Sequence, residues 1–235
     1  ADVIKVEKPG GGDDTRRWGP DYVTDADGRD ALSAYFIAAN RGKRSASIDI
    51  RTAEGQALIR KLARSSDVLV ENYKVGGLSK YGLDYDSLKA VNPRLVYCSI
   101  TGFGQSGPYA ARPGYDFVIQ GMGGLMGITG PAASDGGKPT KAGVALADII
   151  TGLYAANAIG AALRHRDRTG EGQHIDIALM DSMVAVLANQ ALGYLVGGTE
   201  GARLGNAHPN IVPYQSFETR DSDITIAVGN DNQFR

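Results

Sequence analysis

Short apolar runs alternate with helix-forming segments along most of this chain, and that alternation restricts it to the α/β class. Ala1–Glu7 has a strand pattern, with Val3, Ile4 and Val6 among polar neighbours. Ser47-Ile48-Asp49-Ile50 and Val68-Leu69-Val70 read as short strands, the second of the fully buried type. Leu95 to Ile100 and Gln173 to Ala178 continue the series, and Ile224 to Gly229 closes it. Between them, Thr52 is placed to cap a helix reaching about Ser65, with Glu54 in its first turn. Asp84 is placed to cap another up to Val91, before Pro93. A short helix fits Ser33–Ala39, and the rest of residues 8–47 reads as polar and irregular. A long small-residue helix is predicted from about Ala145 to Arg166, and a further helix from about Leu179 to Val196, ended by Gly197-Gly198. Such a pattern predicts a largely parallel sheet covered by helices.

Composition sets the remaining bounds. The chain has 235 residues, 43% hydrophobic and 22% charged, which suits a folded domain with a sizeable core. Its 25 basic and 26 acidic residues leave a formal charge of -1, which argues against a general nucleic-acid or membrane-surface binder. No apolar run approaches the ~18 residues of a membrane span, and no secretory leader is visible. Cys98 is the single cysteine, which excludes an internal disulfide and favours a reducing compartment. The chain opens inside a strand pattern without Met and stops shortly after another strand, so part of a longer protein is expected.

Glycine is the outlier, at 32 residues, about twice the usual ~7%. Twelve of these lie in residues 102–143, where helical periodicity is weak apart from Phe117 to Ile119. Gly102-Phe103-Gly104-Gln105-Ser106-Gly107 matches a dinucleotide fingerprint, but Pro108 and Pro113 deny it the helix that would hold a pyrophosphate. A tight turn at a strand end is the preferred reading. No P-loop and no nucleophile elbow occur. His165, His174 and His208 lack metal-ligand spacing, so no metal is expected. Cys98 sits in an apolar strand, where thiols are usually inert.

Two carboxylates stand out. Asp148 is a charge in the apolar, small-residue run Gly143–Gly152, where it is either a first-turn acid suited to the helix dipole or a carboxylate presented to a substrate. Asp116 lies between aromatics after a proline turn, as a cap or as a site residue. The cations Lys8, Arg41, Lys43, Arg44, Arg51 and Lys80 are scattered around the early strands, as solvated surface charge or as partners for phosphates gathered at strand ends.

Seven segments in order resemble the class III CoA-transferases, the formyl-CoA transferase and carnitine CoA-transferase type. They are Ala1–Glu7, Asn40–Ser45, Asp67–Tyr73, Asn92–Tyr97, Thr101–Gly104 with Gly107–Tyr109, Arg112–Asp116 and Arg168–Gln173. The resemblance implies a Rossmann-like α/β large domain and a smaller second domain, with two subunits interlocked as a homodimer. Residues 1–200 would be the large domain, lacking its first strand and helix, and 201–235 the linker and beginning of the small one. Ile211–Gln215, Gly229-Asn230 and Gln233-Phe234 most resemble members acting on small dicarboxylic acids, the succinyl-CoA:glutarate type among them.

What the resemblance implies for chemistry is specific. Asp148 takes the place of the nucleophilic aspartate, which passes through a mixed anhydride and an aspartyl-CoA thioester. Tyr115 and Asp116 match an active-site pair near it. Lys8, Ile48, Arg51, Asn72, Tyr73 and Lys80 take the coenzyme A contacts, and Gly205-Asn206-Ala207-His208 a mobile active-site loop. A glutamine that the family places near the pantetheine would precede Ala1. Acyl-CoA and a carboxylic acid are the expected substrates, with no tightly bound cofactor, no nucleic acid and no membrane partner. The expected location is cytoplasmic, or the mitochondrial matrix in a eukaryote. Two rivals remain: an α-methylacyl-CoA racemase of the same fold, whose histidine would fall where Tyr115 stands, and a CoA-binding protein without turnover.

Overall fold

A computed structural model describes residues 1–235, the side chain of Asp30 excepted. It is an α/β protein of two compact units, Ala1–Asp67 with Gly76–Leu95, and Val68–Val75 with Val96–Arg235.

In the first unit, strand β1 (Ile4–Glu7) pairs in parallel with a later strand, Arg44–Ser47. A hairpin of β2 (Tyr22–Thr24) and β3 (Asp30–Ser33) leads into helix α1 (Ala34–Asn40), capped by the Ser33 hydroxyl on the Phe36 N–H at 3.0 Å. The strand β4 (Arg44–Ser47) follows. The strand expected at Ser47–Ile50 therefore begins and ends three residues earlier. Ile48 gives its N–H to the Glu7 carbonyl at 2.9 Å, and Asp49 turns away to receive the Arg51 side chain. Helix α2 (Ala53–Ser65) starts where Thr52 accepts the Gly55 N–H at 3.0 Å, as its sequence predicts. It packs against α3 (Tyr85–Val91) through buried Ile59, Ala63 and Leu88. Asp84 precedes α3 as expected, but its side chain accepts no capping bond.

Residues 8–47 are more ordered than their polarity predicts. Glu7, 6% exposed, accepts a bidentate pair from Arg16 at 2.8 and 2.7 Å, the Ser45 hydroxyl at 2.7 Å and the Asp13 N–H at 2.8 Å. The Arg16 guanidinium also lies 4.1 Å from the centre of the Phe36 ring. One buried carboxylate thus ties β1, the turn after it, α1 and β4 together. Arg16 drives the Glu7 carboxyl down to about 2, outweighing the effect of burial, with the Asp13 and Ser45 donors assisting.

In the second unit, β5 (Val68–Glu71), β6 (Val96–Thr101) and β7 (His174–Ala178) form a parallel sheet with β6 in the centre. Helix α6 (Leu146–Thr169) lies on β6 and β7. Its alanines at 155 and 162 meet Val96, Cys98 and Ile175 in one core cluster, so its small residues permit close approach. Contrary to the expectation from apolar runs, α6 is by length and composition sufficient to cross a membrane; one face of it packs on the sheet, while Ile149, Leu153 and Tyr154 remain exposed. A second cluster joins Ile119 of α4 (Asp116–Met122), Ala147 of α6, and Leu179 and Met183 of α7 (Leu179–Val186). The single helix expected over Leu179–Val196 is two, α7 and a helix at Ala188–Gly197, bent by 78°. Ala188 has φ 46°, which a continuous helix cannot hold.

The glycine-rich stretch runs mainly as loop, interrupted by α4 and the short α5 (Leu125–Ile128), and the Ala188–Gly197 helix is α8. An antiparallel hairpin, β8 (Tyr214–Glu218) and β9 (Asp223–Ala227), and a last turn α9 (Asp231–Phe234) complete the unit. No helix opens at Gly102–Gly107, as the turn reading requires. The Met180 N–H holds the Gly102 carbonyl at 3.0 Å, and Asp176 accepts the Gln105 N–H at 2.9 Å. Gly102 and Gly114 cross backbone on backbone: a methyl on Gly114 would stand 2.3 Å from the Gly102 Cα.

Two measurements test this account. Glu7→Gln should cost about 2–3 kcal/mol in urea denaturation, less than the ~3–5 of a fully buried pair because Arg16 keeps some solvent contact. A carboxyl depressed to about 2 from an ordinary 4.5 contributes stability above 4.5 that is lost as pH falls toward 2, so the gap between wild type and variant should close over that range. Gly114→Ala should lower stability by more than about 2 kcal/mol, since backbone must move; an unchanged melting temperature would refute the crossing.

Candidate active site

The residues with the clearest chemistry meet where α6 begins. The first N–H groups of a helix have no partner within it. Here Ala145, at the cap position, has no side chain that can supply one. Asp116, the first residue of α4, does so instead, accepting the Ala147 N–H on Oδ1 at 2.8 Å. Its Oδ2 accepts the Gln120 Nε2 at 2.8 Å, a pairing that the i,i+4 spacing on α4 favours.

Gln120 is fully buried. Its Oε1 accepts the Ala142 N–H at 2.8 Å, and its Nε2 makes a long approach of 3.4 Å to the Val144 carbonyl. The amide can face only one way, because a carboxylate only accepts and a backbone N–H only donates. Asp148 follows Ala147 in the first turn of α6, with its side chain open to solvent. Surrounding protein raises its carboxyl above the ordinary aspartate range by desolvation, and the neighbouring Asp116 charge adds to the rise. Tyr115 is 73% exposed, on extended backbone just before α4.

Asp148 and Asp116 are therefore close together on two contacting elements, α6 and α4, and Tyr115 directly precedes Asp116 in the chain. Both Asp116 oxygens are engaged by donors, so it serves as an anchor for the helix start. Gln120 escaped the sequence reading, although its four-residue spacing from Asp116 was the available signal.

The predicted coenzyme contacts fall in both units. In the first, Lys8 and Ile48 directly follow the carboxyl ends of the parallel strands β1 and β4, the edge where α/β proteins bind ligands. The Lys8 ammonium lies 2.6 Å from an Asp14 oxygen, with both side chains largely exposed. Arg51 forks onto Asp49 at 2.9 and 2.8 Å, which lowers the Asp49 carboxyl to about 2 and raises the arginine. Lys80 stands 4.8 Å from the centre of the Tyr81 ring. In the second unit, Asn72 and Tyr73 follow the carboxyl end of β5, with the Tyr73 N–H on a Glu71 oxygen at 2.7 Å.

The segment Gly205-Asn206-Ala207-His208 is tied at several points. Gly205 N–H reaches the Gly130 carbonyl at 3.1 Å, Asn206 the Ser216 hydroxyl at 3.2 Å, and His208 N–H the Tyr214 carbonyl at 2.9 Å. His208 Nδ1 accepts the Asn210 N–H at 3.0 Å. Cys98 is buried in β6, where burial, Glu71 and Asp176 push its thiol up to about 11. Ser99 and His174 lie 2.9 Å apart, but Ser99 is buried within the sheet, where the pair links strands. Among the described residues, no three His, Cys, Asp or Glu side chains converge as metal ligands.

Known proteins share this architecture. The Agrobacterium fabrum protein called succinate–glutarate CoA-transferase is 60% identical over 235 residues, all of this chain and 58% of that protein. The human succinyl-CoA:glutarate CoA-transferase is 47% identical over 234 residues, all of this chain and 51% of that protein. Both names agree with the type that the C-terminal motifs resemble. A crystal structure of a CAIB/BAIF family protein from Brucella suis superposes with a TM-score of 0.90 at 59% identity, covering 99% of this chain and 60% of that one. The chain thus spans about half to three fifths of the length of these relatives. The family model described as CoA-transferase family III matches residues 1–235 without a break, and the chain belongs to that family.

Proposed function

We propose that the full-length protein transfers coenzyme A from an acyl-CoA thioester to a carboxylic acid, with Asp148 as the covalent nucleophile. The observation that carries this reading is a solvent-reachable carboxylate at an anchored helix start, with its proton affinity raised by desolvation and by Asp116. The names of the relatives point to small dicarboxylic acids as substrates, succinate and glutarate first.

The steps balance without a net proton or water. The Asp148 carboxylate attacks the thioester carbonyl, giving a mixed anhydride and CoA thiolate. The thiolate attacks the aspartyl carbonyl, giving an aspartyl-CoA thioester and releasing the donor acid as carboxylate. The acceptor carboxylate then attacks this thioester, forming a second anhydride and expelling CoA thiolate. Attack of that thiolate on the acceptor acyl carbonyl yields the new acyl-CoA and frees Asp148. Backbone N–H groups of the glycine-rich stretch are suited to the developing oxyanions. Exclusion of water keeps the anhydride from hydrolysis.

Lys8, Arg51 and Lys80 are assigned to the phosphates, and Ile48, Asn72 and Tyr73 to the rest of the coenzyme. Tyr115 is assigned to the substrate side of Asp148, and residues 205–208 to the loop that covers it. In this reading, 1–200 belong to the large domain and 201–235 begin the small one. An interlocked homodimer is supported by apolar side chains left exposed, Leu195 at 74% and Val196 at 87% among them. A reducing compartment, cytoplasmic or the mitochondrial matrix, is supported by the lone buried Cys98.

The test uses full-length protein, succinyl-CoA and a panel of dicarboxylates, with products weighed by mass spectrometry. Transfer to at least one acceptor is expected; no transfer to any, or deuterium entering the α-carbon of a branched acyl-CoA instead, sinks the reading. Asp148→Ala should lower transfer at least roughly 10³-fold while CoA still binds. Hydroxylamine added with acyl-CoA should leave a hydroxamate on Asp148. The rate should fall as pH drops through the raised Asp148 value, because the carboxylate is the nucleophile. Asp116→Asn removes the neighbouring charge and should move that acid limb to lower pH.

A further inference from the structure

We infer that Gln120 is a positioning residue for Asp148: its buried amide clamps the Asp116 carboxylate on one side and the 142–144 segment on the other, which fixes where α6 begins. The inference rests on the proposed role of Asp148. Three observations carry it. Gln120 is fully buried, so its polar atoms must be satisfied by protein. Its Nε2 meets Asp116 Oδ2 and its Oε1 meets the Ala142 N–H, both at 2.8 Å. The other Asp116 oxygen holds the Ala147 N–H at 2.8 Å, one residue before Asp148. The chain of contacts therefore runs from Ala142 through one amide and one carboxylate back to Ala147, closing a loop around the lead-in to α6. Without the amide, Asp116 is free to rotate away and the lead-in loses its partner. Asp148 would then sample several positions, and attack on a carbonyl demands one.

The charged groups that face this amide are few. Asp116 faces it from α4 itself, Asp148 stands in the first turn of α6 within electrostatic reach of Asp116, and Lys141 lies beside the clamped segment with its ammonium 3.0 Å from the Ala142 carbonyl. The α7 side presents Leu179 and Met183, which do not titrate.

This permits a test that a merely structural role would not pass. Gln120→Glu places a second carboxyl against Asp116 in a buried position, where the two share a proton and the pair titrates above the ordinary carboxylate range. Protonated, Glu at this position donates to Asp116 and accepts from Ala142, as the amide does. Ionised, it repels Asp116. The ratio of the Q120E rate to the wild-type rate in the intact enzyme should be near one at the acid end. It should fall at least tenfold as pH rises, an alkaline limb that wild type lacks. Gln120→Met should lower kcat at least tenfold at every pH and leave the KM for acyl-CoA within about twofold.

A ratio that stays flat with pH overturns the inference, as does Q120M with wild-type kcat. If Q120M does not fold, Q120E still decides. Hydrogen exchange supplies a readout independent of activity. Protection of the Ala142 and Ala147 amides in Q120E should fall at least tenfold relative to wild type over the same pH rise, and equal protection would refute the clamp. Wild-type protein that transfers no CoA would overturn the proposed function, while the exchange measurement still judges the clamp.

Discussion

The Asp116 carboxylate on the Ala147 N–H is the contact around which the second unit is arranged. A helix as long as α6, roughly 36 Å at 1.5 Å per residue, is a rigid rod, so fixing one end and one face fixes all of it. Its face is set by Ala155 and Ala162 against the central strand β6. Its start is set by an acid borrowed from α4, because Ala145 offers no cap of its own. Asp148 inherits its position from both. The same contact places two negative charges close together, and that proximity contributes to the raised proton affinity of Asp148. Anchoring and tuning thus come from one side chain.

The crossing of Gly102 and Gly114 explains how Asp116 reaches that helix. Gly102 directly follows β6 and Gly114 lies two residues before α4, and their backbones touch with no room for a methyl on either. The glycine excess of residues 102–143 is in this respect geometric: the chain passes close to itself at a strand end before it turns into α4.

Much of this was legible in the sequence, and the exceptions share a cause. The apolar strands Val68–Glu71 and Val96–Thr101, the Thr52 cap and the long helix with Asp148 in its first turn all follow from local patterns that a window of residues contains. The β2–β3 hairpin and the turn held by Arg16 do not, because Glu7 reaches nine residues on to Arg16 and 38 to Ser45, and such pairing leaves no periodicity. The break between α7 and α8 is equally silent, since Ala188 is a good helix former held at φ 46° by tertiary context. At the site, Asp148 and Asp116 were visible as isolated charges. Gln120 was not, because a lone glutamine on a short helix looks like surface until its burial is known.

Cys98 has a bearing on the proposed chemistry that its inertness alone does not express. A protein that carries an acyl group from anhydride to thioester offers that group to any thiol within reach. A second reactive sulfur would divert it, forming a dead-end S-acyl adduct on the protein. The one thiol of this chain lies in the middle of β6, covered by α6 and held protonated at neutral pH with its titration pushed to about 11. In the proposed reaction, no other reachable thiol of these residues would compete with the coenzyme's sulfur for the acyl group.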